Sequence, residues 1–97
     1  MSTNLDVLEV TKLKRPSKWA VICHNDDTTP MDFVIELLYY VFNMQVEPAT
    51  ELMIKIHTEG KGAAGIYSYE IGEQKLAEAM TFVNVGTYNM RITLEEE

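Results

Sequence analysis

Asn25, Asp26 and, much further along the chain, His57 are side chains that accept hydrogen bonds, and Asp26 among them carries a full negative charge. A primary ammonium is a compact charge with three donors and no acceptor, so it asks for acceptors converging from several directions. One carboxylate in that set adds charge-assisted strength. Asp26 and Asp27 stand just before a predicted helix start, where the helix dipole alone disfavours a cation, so their carboxylates have to outweigh it. Met31 and Val34 fall at i and i+3, and Met53 and His57 at i and i+4, so each pair shares a helix face. If these two helices pack as a hairpin, Met31, Val34 and Met53 wall an apolar cup beside the polar cluster. Methionine suits that wall because its side chain is flexible and polarizable.

Each of these residues also has a plainer use. Asn25, Asp26 and Asp27 are turn formers, the methionines and Val34 at helical spacing serve equally well as core, and His57 can be a half-buried histidine on an apolar helix face. Cys23, His24, Asp26 and His57 are metal-capable types. Yet Cys23 and His24 are adjacent on a strand, point to opposite faces, and have no partner at zinc spacing, so neither metal nor other cofactor is expected. Cys23 lies within the strand with no general base placed for it, which argues against nucleophilic catalysis.

The elements that must position these residues follow from punctuation and period. Trp19 to Cys23 reads as a buried strand, ended by Asn25-Asp26-Asp27. Thr29 is the expected N-cap, Pro30 the first helical residue and Asp32 the capping-box acid. Phe33, Val34, Leu37, Leu38, Val41 and Phe42 recur at helical spacing and predict a helix over 30–43. Pro48 opens a second helix that ends at Gly60, and Gly60-Lys61-Gly62 reads as a turn. Ala63 to Tyr69 is the next expected strand. A helix over 70–85 follows, with Ile71, Leu76, Ala79, Met80 and Val83 facing inward and Gly86 closing it. Tyr88 to Leu94 alternates as the last strand, with Tyr88, Met90, Ile92 and Leu94 on one face. The order β-α-α-β-α-β predicts an α+β domain, a small three-stranded antiparallel sheet backed by helices. Residues 1–17 carry scattered apolar residues and read as a mobile N-terminal arm; residues 18–97 are the expected core domain.

Composition bounds the function. The chain has 97 residues, enough for one domain, and a single cysteine that permits no internal disulfide. Fifteen acidic against eight basic residues give a formal net charge of −7, the wrong sign for holding a phosphate backbone, so no nucleic acid is expected. The charge favours cationic ligands or basic partner surfaces. No apolar run approaches the ~20 residues of a membrane span, and no signal peptide is apparent. The expectation is a cytoplasmic monomer.

The run Asn25-Asp26-Asp27-Thr28-Thr29-Pro30-Met31-Asp32-Phe33-Val34 closely resembles the signature of the ClpS adaptors. The likeness continues through Ala49 to His57, Gly60-Lys61, Gly65-Ile66-Tyr67, Glu70, Lys75 and Thr93-Leu94, and so covers about residues 17–95. The resemblance implies a non-enzymatic adaptor of the N-degron pathway. Such proteins bind substrates whose first residue is Phe, Leu, Trp or Tyr, and deliver them to a ClpA-type (or ClpC-type) AAA+ unfoldase and its ClpP peptidase. Carried over by motif position, Asn25, Asp26 and His57 hold the substrate's α-amino group, and Asp27 and Thr29 shape the pocket mouth. Met31, Val34, Met53 and Ile56 wall the side-chain pocket, with Met90 contributing from the last strand. Met31 matches a gatekeeper that excludes β-branched first residues, and Thr28, a departure from many relatives, belongs to the rim. Glu70 and Lys75 match the surface that docks on the unfoldase's N-terminal domain, and the arm matches an extension that engages the unfoldase during handover. The alternative is an interaction module that modulates the unfoldase without reading a substrate's terminus.

Overall fold

A computed structural model describes residues 17–97. The expected arm therefore lies, but for Ser17, outside the described residues. The element order is β1 (Trp19–His24), α1 (Met31–Tyr40), α2 (Val46–Glu59), β2 (Lys61–Tyr67), α3 (Tyr69–Val85) and β3 (Ile92–Glu96). Both neighbours pair antiparallel with β1, giving the strand order β2-β1-β3 and the α+β class expected. The apolar run of β1 belongs at the centre: Val21 and Cys23 are fully buried, and Val21 lies opposite Gly65 on one side and Leu94 on the other. A bulge in β2, opposite the Val21–Ile22 step, shifts the register there.

The helices cover the Val21 and Cys23 face. Leu37 and Leu38 of α1 and Ile56 of α2 are the other large fully buried side chains, joined by Val34, Ala49, Met53, Ala79 and Val83. Along α3 the inward line is Gly72, Leu76, Ala79 and Val83, whereas Ile71 and Met80 are exposed, against expectation. Close approach decides this. A Cβ on Gly72 would come within 2.7 Å of Leu94 Cδ1, so the glycine face lies against the sheet and turns its bulkier neighbour Ile71 outward.

Element boundaries moved where a backbone bond outweighed the side-chain pattern. Helix α1 stops at Tyr40, short of residue 43; Asn43 takes a left-handed φ of 58°, and Met44 N–H donates to Leu38 O at 3.1 Å. At its start Pro30, not Thr29, is the N-cap, without a side-chain bond. Asp32 still satisfies one orphan donor, accepting from Phe33 N–H at 2.9 Å. Helix α2 begins before Pro48, which sits in the first turn where its missing N–H is no loss. The turn expected over 60–62 contracts to Gly60, because Lys61 and Gly62 already pair with β1. Tyr88 and Met90 pack on the core ahead of β3 instead of within it, and the left-handed residue after α3 is Thr87 (φ 63°), not Gly86.

Gly60 has φ 95°, and its N–H donates to Ile56 O at 2.9 Å, an αL helix cap. Nothing lies within 4 Å of where its Cβ would stand, so a substitution there tests backbone conformation alone. Gly60→Ala lowers the urea-derived unfolding free energy by about 1–2 kcal/mol, and Gly60→Asn by less, because asparagine tolerates the left-handed region.

Candidate functional site

Strand β1 and helix α2 end at the same place. Asn25 N–H, the first beyond β1, donates to Gly60 O at 2.8 Å, which ties the following loop to the helix terminus. His57, three residues before Gly60, thereby comes to border the same cavity as Asn25 and Asp26. That cavity, about 260 Å³, opens between the 25–30 loop, the start of α1 and the last turns of α2.

Its lining divides by chemistry. Asn25, Asp26, Asp27 and His57 supply polar groups, and Met31, Val34, Met53 and Ile56 an apolar wall. Val34, Met53 and Ile56 are 6%, 7% and 1% exposed and belong to the core, so the wall is fixed by packing. Met31 is 47% exposed and stands at the mouth, free to change rotamer. Thr29 is buried at the base of the loop, and Pro30 joins the lining beside it. Pro30 was not among the residues expected there; its signal was its place between Thr29 and Met31.

Asp26 is the best-anchored polar group. Its Oδ2 accepts from Thr29 Oγ1 at 2.5 Å and Thr28 Oγ1 at 2.8 Å, and its carbonyl accepts from Thr29 N–H at 3.2 Å. The Thr29 hydroxyl foremost, then that of Thr28, holds the carboxyl below the ordinary carboxylate range, so it is ionised at neutral pH. The hydroxyl expected to cap α1 is thus spent on the carboxylate instead. Asn25 and Asp27 are exposed loop residues, and His57 is exposed near the end of α2.

Three expected residues fall elsewhere or act differently. Thr28 is exposed and reaches the site through Asp26 rather than by lining the cavity. Met90 is 5% exposed in the core and borders a separate cavity with Val83, Tyr88 and Arg91. Glu70 is exposed in the first turn of α3, whereas Lys75, two turns from that helix start, donates Nζ–H to Val41 O at 2.8 Å. Lys75 therefore caps the C-terminal end of α1, where a cation is favoured by the dipole. It also sits 3.5 Å from Glu78, an ion pair of little consequence for stability.

At the sheet end beside Asn25, His24 joins two strands. Its Nε2 lies 2.8 Å from Thr93 Oγ1 and its Nδ1 3.4 Å from the Arg91 guanidinium, which cannot accept. The neutral ring therefore accepts at Nδ1 and donates from Nε2. Desolvation, then the Arg91 and Lys61 charges, lower the His24 pKa, against the opposing pull of Glu95. Burial pushes the Cys23 thiol up to about 12, leaving it an inert core group. Among the described residues no three His, Cys, Asp or Glu side chains converge on a metal-sized position. No helix among them is long and apolar enough to cross a membrane.

Two expectations follow from these contacts. Because folding disfavours the His24 imidazolium, stability is whole above the ordinary histidine value and falls as pH drops through it. Arg91→Gln moves the His24 titration upward in proton NMR and makes that acid loss shallower; an unmoved titration contradicts the arrangement. Lys75→Ala lowers the unfolding free energy by about 1 kcal/mol through the lost bond to Val41, measured by urea denaturation.

Comparison with known proteins places this arrangement. Residues 14–93 match the family model described as ATP-dependent Clp protease adaptor protein ClpS. The ClpS adapter of Vibrio atlanticus is 44% identical over 98% of this chain and 92% of its own length. That of Shewanella pealeana is 45% identical over 89% and 84%. Among solved structures, Agrobacterium tumefaciens ClpS2 bound to L-phenylalaninamide superposes with a TM-score of 0.82 at 30% identity, covering 86% of this chain and all of that one. With the motif run, the sheet order and the full-length likeness in agreement, the chain belongs to the ClpS family of Clp protease adaptors.

Proposed function

We propose that this protein is an adaptor that recognises the free N-terminal residue of its substrates, with preference for Phe, Leu, Trp and Tyr, and hands them to a ClpA-type unfoldase for degradation by ClpP in the cytoplasm. One observation carries the reading: a single cavity joins an anchored carboxylate and the polar side chains of Asn25 and His57 on one side to a packed apolar wall on the other. An α-amino group and the side chain beside it have the same two-part chemistry. L-phenylalaninamide, the ligand of the Agrobacterium relative, presents both.

In this assignment Asn25, Asp26 and His57 hold the ammonium, and Asp27 and Thr29 shape the mouth. Val34, Met53 and Ile56 receive the side chain, and the exposed Met31 closes over it. A cavity of about 260 Å³ is smaller than the ~300–1,000 Å³ typical of drug-sized ligands and suits one amino-acid side chain. Its walls are core residues of fixed position, so a substrate that differs by one methylene is discriminated only by ~1–3 kcal/mol and preference among large first residues is graded. An internal peptide N–H would bring one donor where an ammonium brings three, leaving desolvated acceptors unpaired at ~1–3 kcal/mol each.

Delivery rests on family membership and on α3. Glu70 and Lys75 lie on this helix away from the cavity, so substrate and unfoldase can be held together. Because Lys75 also caps α1, its replacement affects docking and stability together, and Glu70 is the cleaner probe of docking.

The test is fluorescence anisotropy with labelled peptides that differ only at the first residue: Phe, Leu, Ile and N-acetyl-Phe. Phe and Leu bind at micromolar concentration or below, about −8 kcal/mol. Acetyl-Phe and Ile bind at least about ten-fold more weakly, the first for want of the ammonium, the second through Met31. Equal affinity for Phe and acetyl-Phe peptides would overturn terminus recognition.

A further inference from the structure

Asp26 carries two hydrogen bonds on one oxygen, and only one of the two donors is part of the cavity. A carboxylate has about four lone-pair positions on two oxygens, and its terminal torsion is broad and two-fold, so in a solvated loop it points nowhere in particular. Here Thr29 Oγ1 at 2.5 Å and Thr28 Oγ1 at 2.8 Å both donate to Oδ2. Each hydroxyl has a single proton and spends it on that oxygen. The backbone bond from Thr29 N–H to Asp26 O, 3.2 Å, closes the loop around the same residue. Thr29 is buried and lines the cavity; Thr28 is exposed and does not. Whatever Thr28 contributes to a ligand it contributes through Asp26.

We propose that Thr28 is a positioning residue: its hydroxyl, acting with that of Thr29, clamps Oδ2 of Asp26 so that Oδ1 is presented to the cavity as counter-ion for the substrate's ammonium. This deepens the terminus-reading function and rests on it. The clamp has two effects. It fixes the carboxylate before the ligand arrives, so less rotational freedom is lost on binding. It also favours the ionised over the protonated carboxyl, since both hydroxyls donate to the charged form. Asp27 lines the same cavity and Asp32 stands in the first turn of α1, yet the hydrogen bonds from Thr29 and Thr28, not these neighbouring charges, set the direction of the Asp26 shift. His57 is the basic side chain that borders the same cavity. A threonine that only stabilised the turn would leave the ligand's affinity alone.

Thr28→Val removes the donor while keeping the branched shape, and Thr28→Ser keeps the donor. Carboxyl-carbon NMR titration of Asp26 and calorimetry with L-phenylalaninamide are compared in the wild type and both variants. Thr28→Val raises the Asp26 titration toward the ordinary aspartate value and weakens phenylalaninamide binding at pH 7 by about two- to ten-fold, as the rotational freedom an unclamped carboxylate loses on binding implies. Thr28→Ser restores both. An Asp26 titration unchanged in Thr28→Val, or a Thr28→Ser protein that behaves like the valine variant, overturns the proposal. Should wild type fail to bind phenylalaninamide, terminus recognition falls and with it the counter-ion role, while the titration still shows whether the clamp exists. Circular dichroism of Thr28→Val at the wild-type value excludes unfolding as the cause; if it is lost, Thr28→Ala, which also lacks the donor, takes its place in both measurements.

Discussion

The backbone bond from Asn25 N–H to Gly60 O is the constraint on which the site depends. Asn25 and His57 lie far apart in the chain, and no side-chain hydrogen bond joins them. One 2.8 Å hydrogen bond joins the first residue after the central strand to the cap residue of α2. Gly60 can offer its carbonyl there because it adopts the left-handed conformation that ends the helix and sends the chain into β2, alongside β1. Helix end, strand start and loop are fixed at one point, and the distance from that point to His57 is one turn of helix. The core then supplies rigidity: Ile56 next to His57 is fully buried, as is Leu37 one turn beyond Val34.

Around that junction the molecule separates what must be rigid from what must remain accessible. Val34, Met53 and Ile56 are core residues that happen also to face a cavity, so the wall cannot collapse without disturbing the sheet packing. The polar groups sit on exposed positions of a short loop and a helix end, where water keeps them solvated until a ligand replaces it. Asp26 is the exception, half-buried and held by two hydroxyls. A carboxylate at the start of α1 is compatible with the helix dipole, and a cation there is not. Asp26 therefore places an anchored negative charge where the backbone field favours one.

Much of this was legible in the sequence, for identifiable reasons. The six elements and their order follow from strong punctuation, Asn-Asp-Asp after β1, Pro48 near the start of α2 and Gly60 at its end, together with clear helical periods. The α1 and α2 faces that share the cavity follow from i, i+3 and i, i+4 spacing, which backbone geometry enforces. What escaped was set by non-local packing. Ile71 and Met80 have the hydropathy of an inward row, but Gly72 against Leu94 decides which way α3 turns, and that contact depends on where β3 passes. Met90 alternates correctly with Ile92, yet it precedes the strand and fills the core beneath a different cavity. Thr29 looked like a helix cap because capping is the commonest use of a threonine before proline. The neighbouring carboxylate was the stronger acceptor for its hydroxyl proton.

Lys75 shows how a surface motif and a structural contact can share one side chain. Its stem crosses from α3 to α1, and its ammonium meets the Val41 carbonyl at a helix end where several carbonyls lack intrahelical partners. The bond links the helix that carries the cavity's Met31 and Val34 to the helix on which unfoldase docking is proposed. Such a link need not transmit anything; one hydrogen bond is worth too little to serve as a switch. What it does provide is an anchor between α3 and the C-terminal end of α1. Under the proposed function, in which substrate terminus and unfoldase are held at once, a constant distance between the two surfaces is more useful than communication between them.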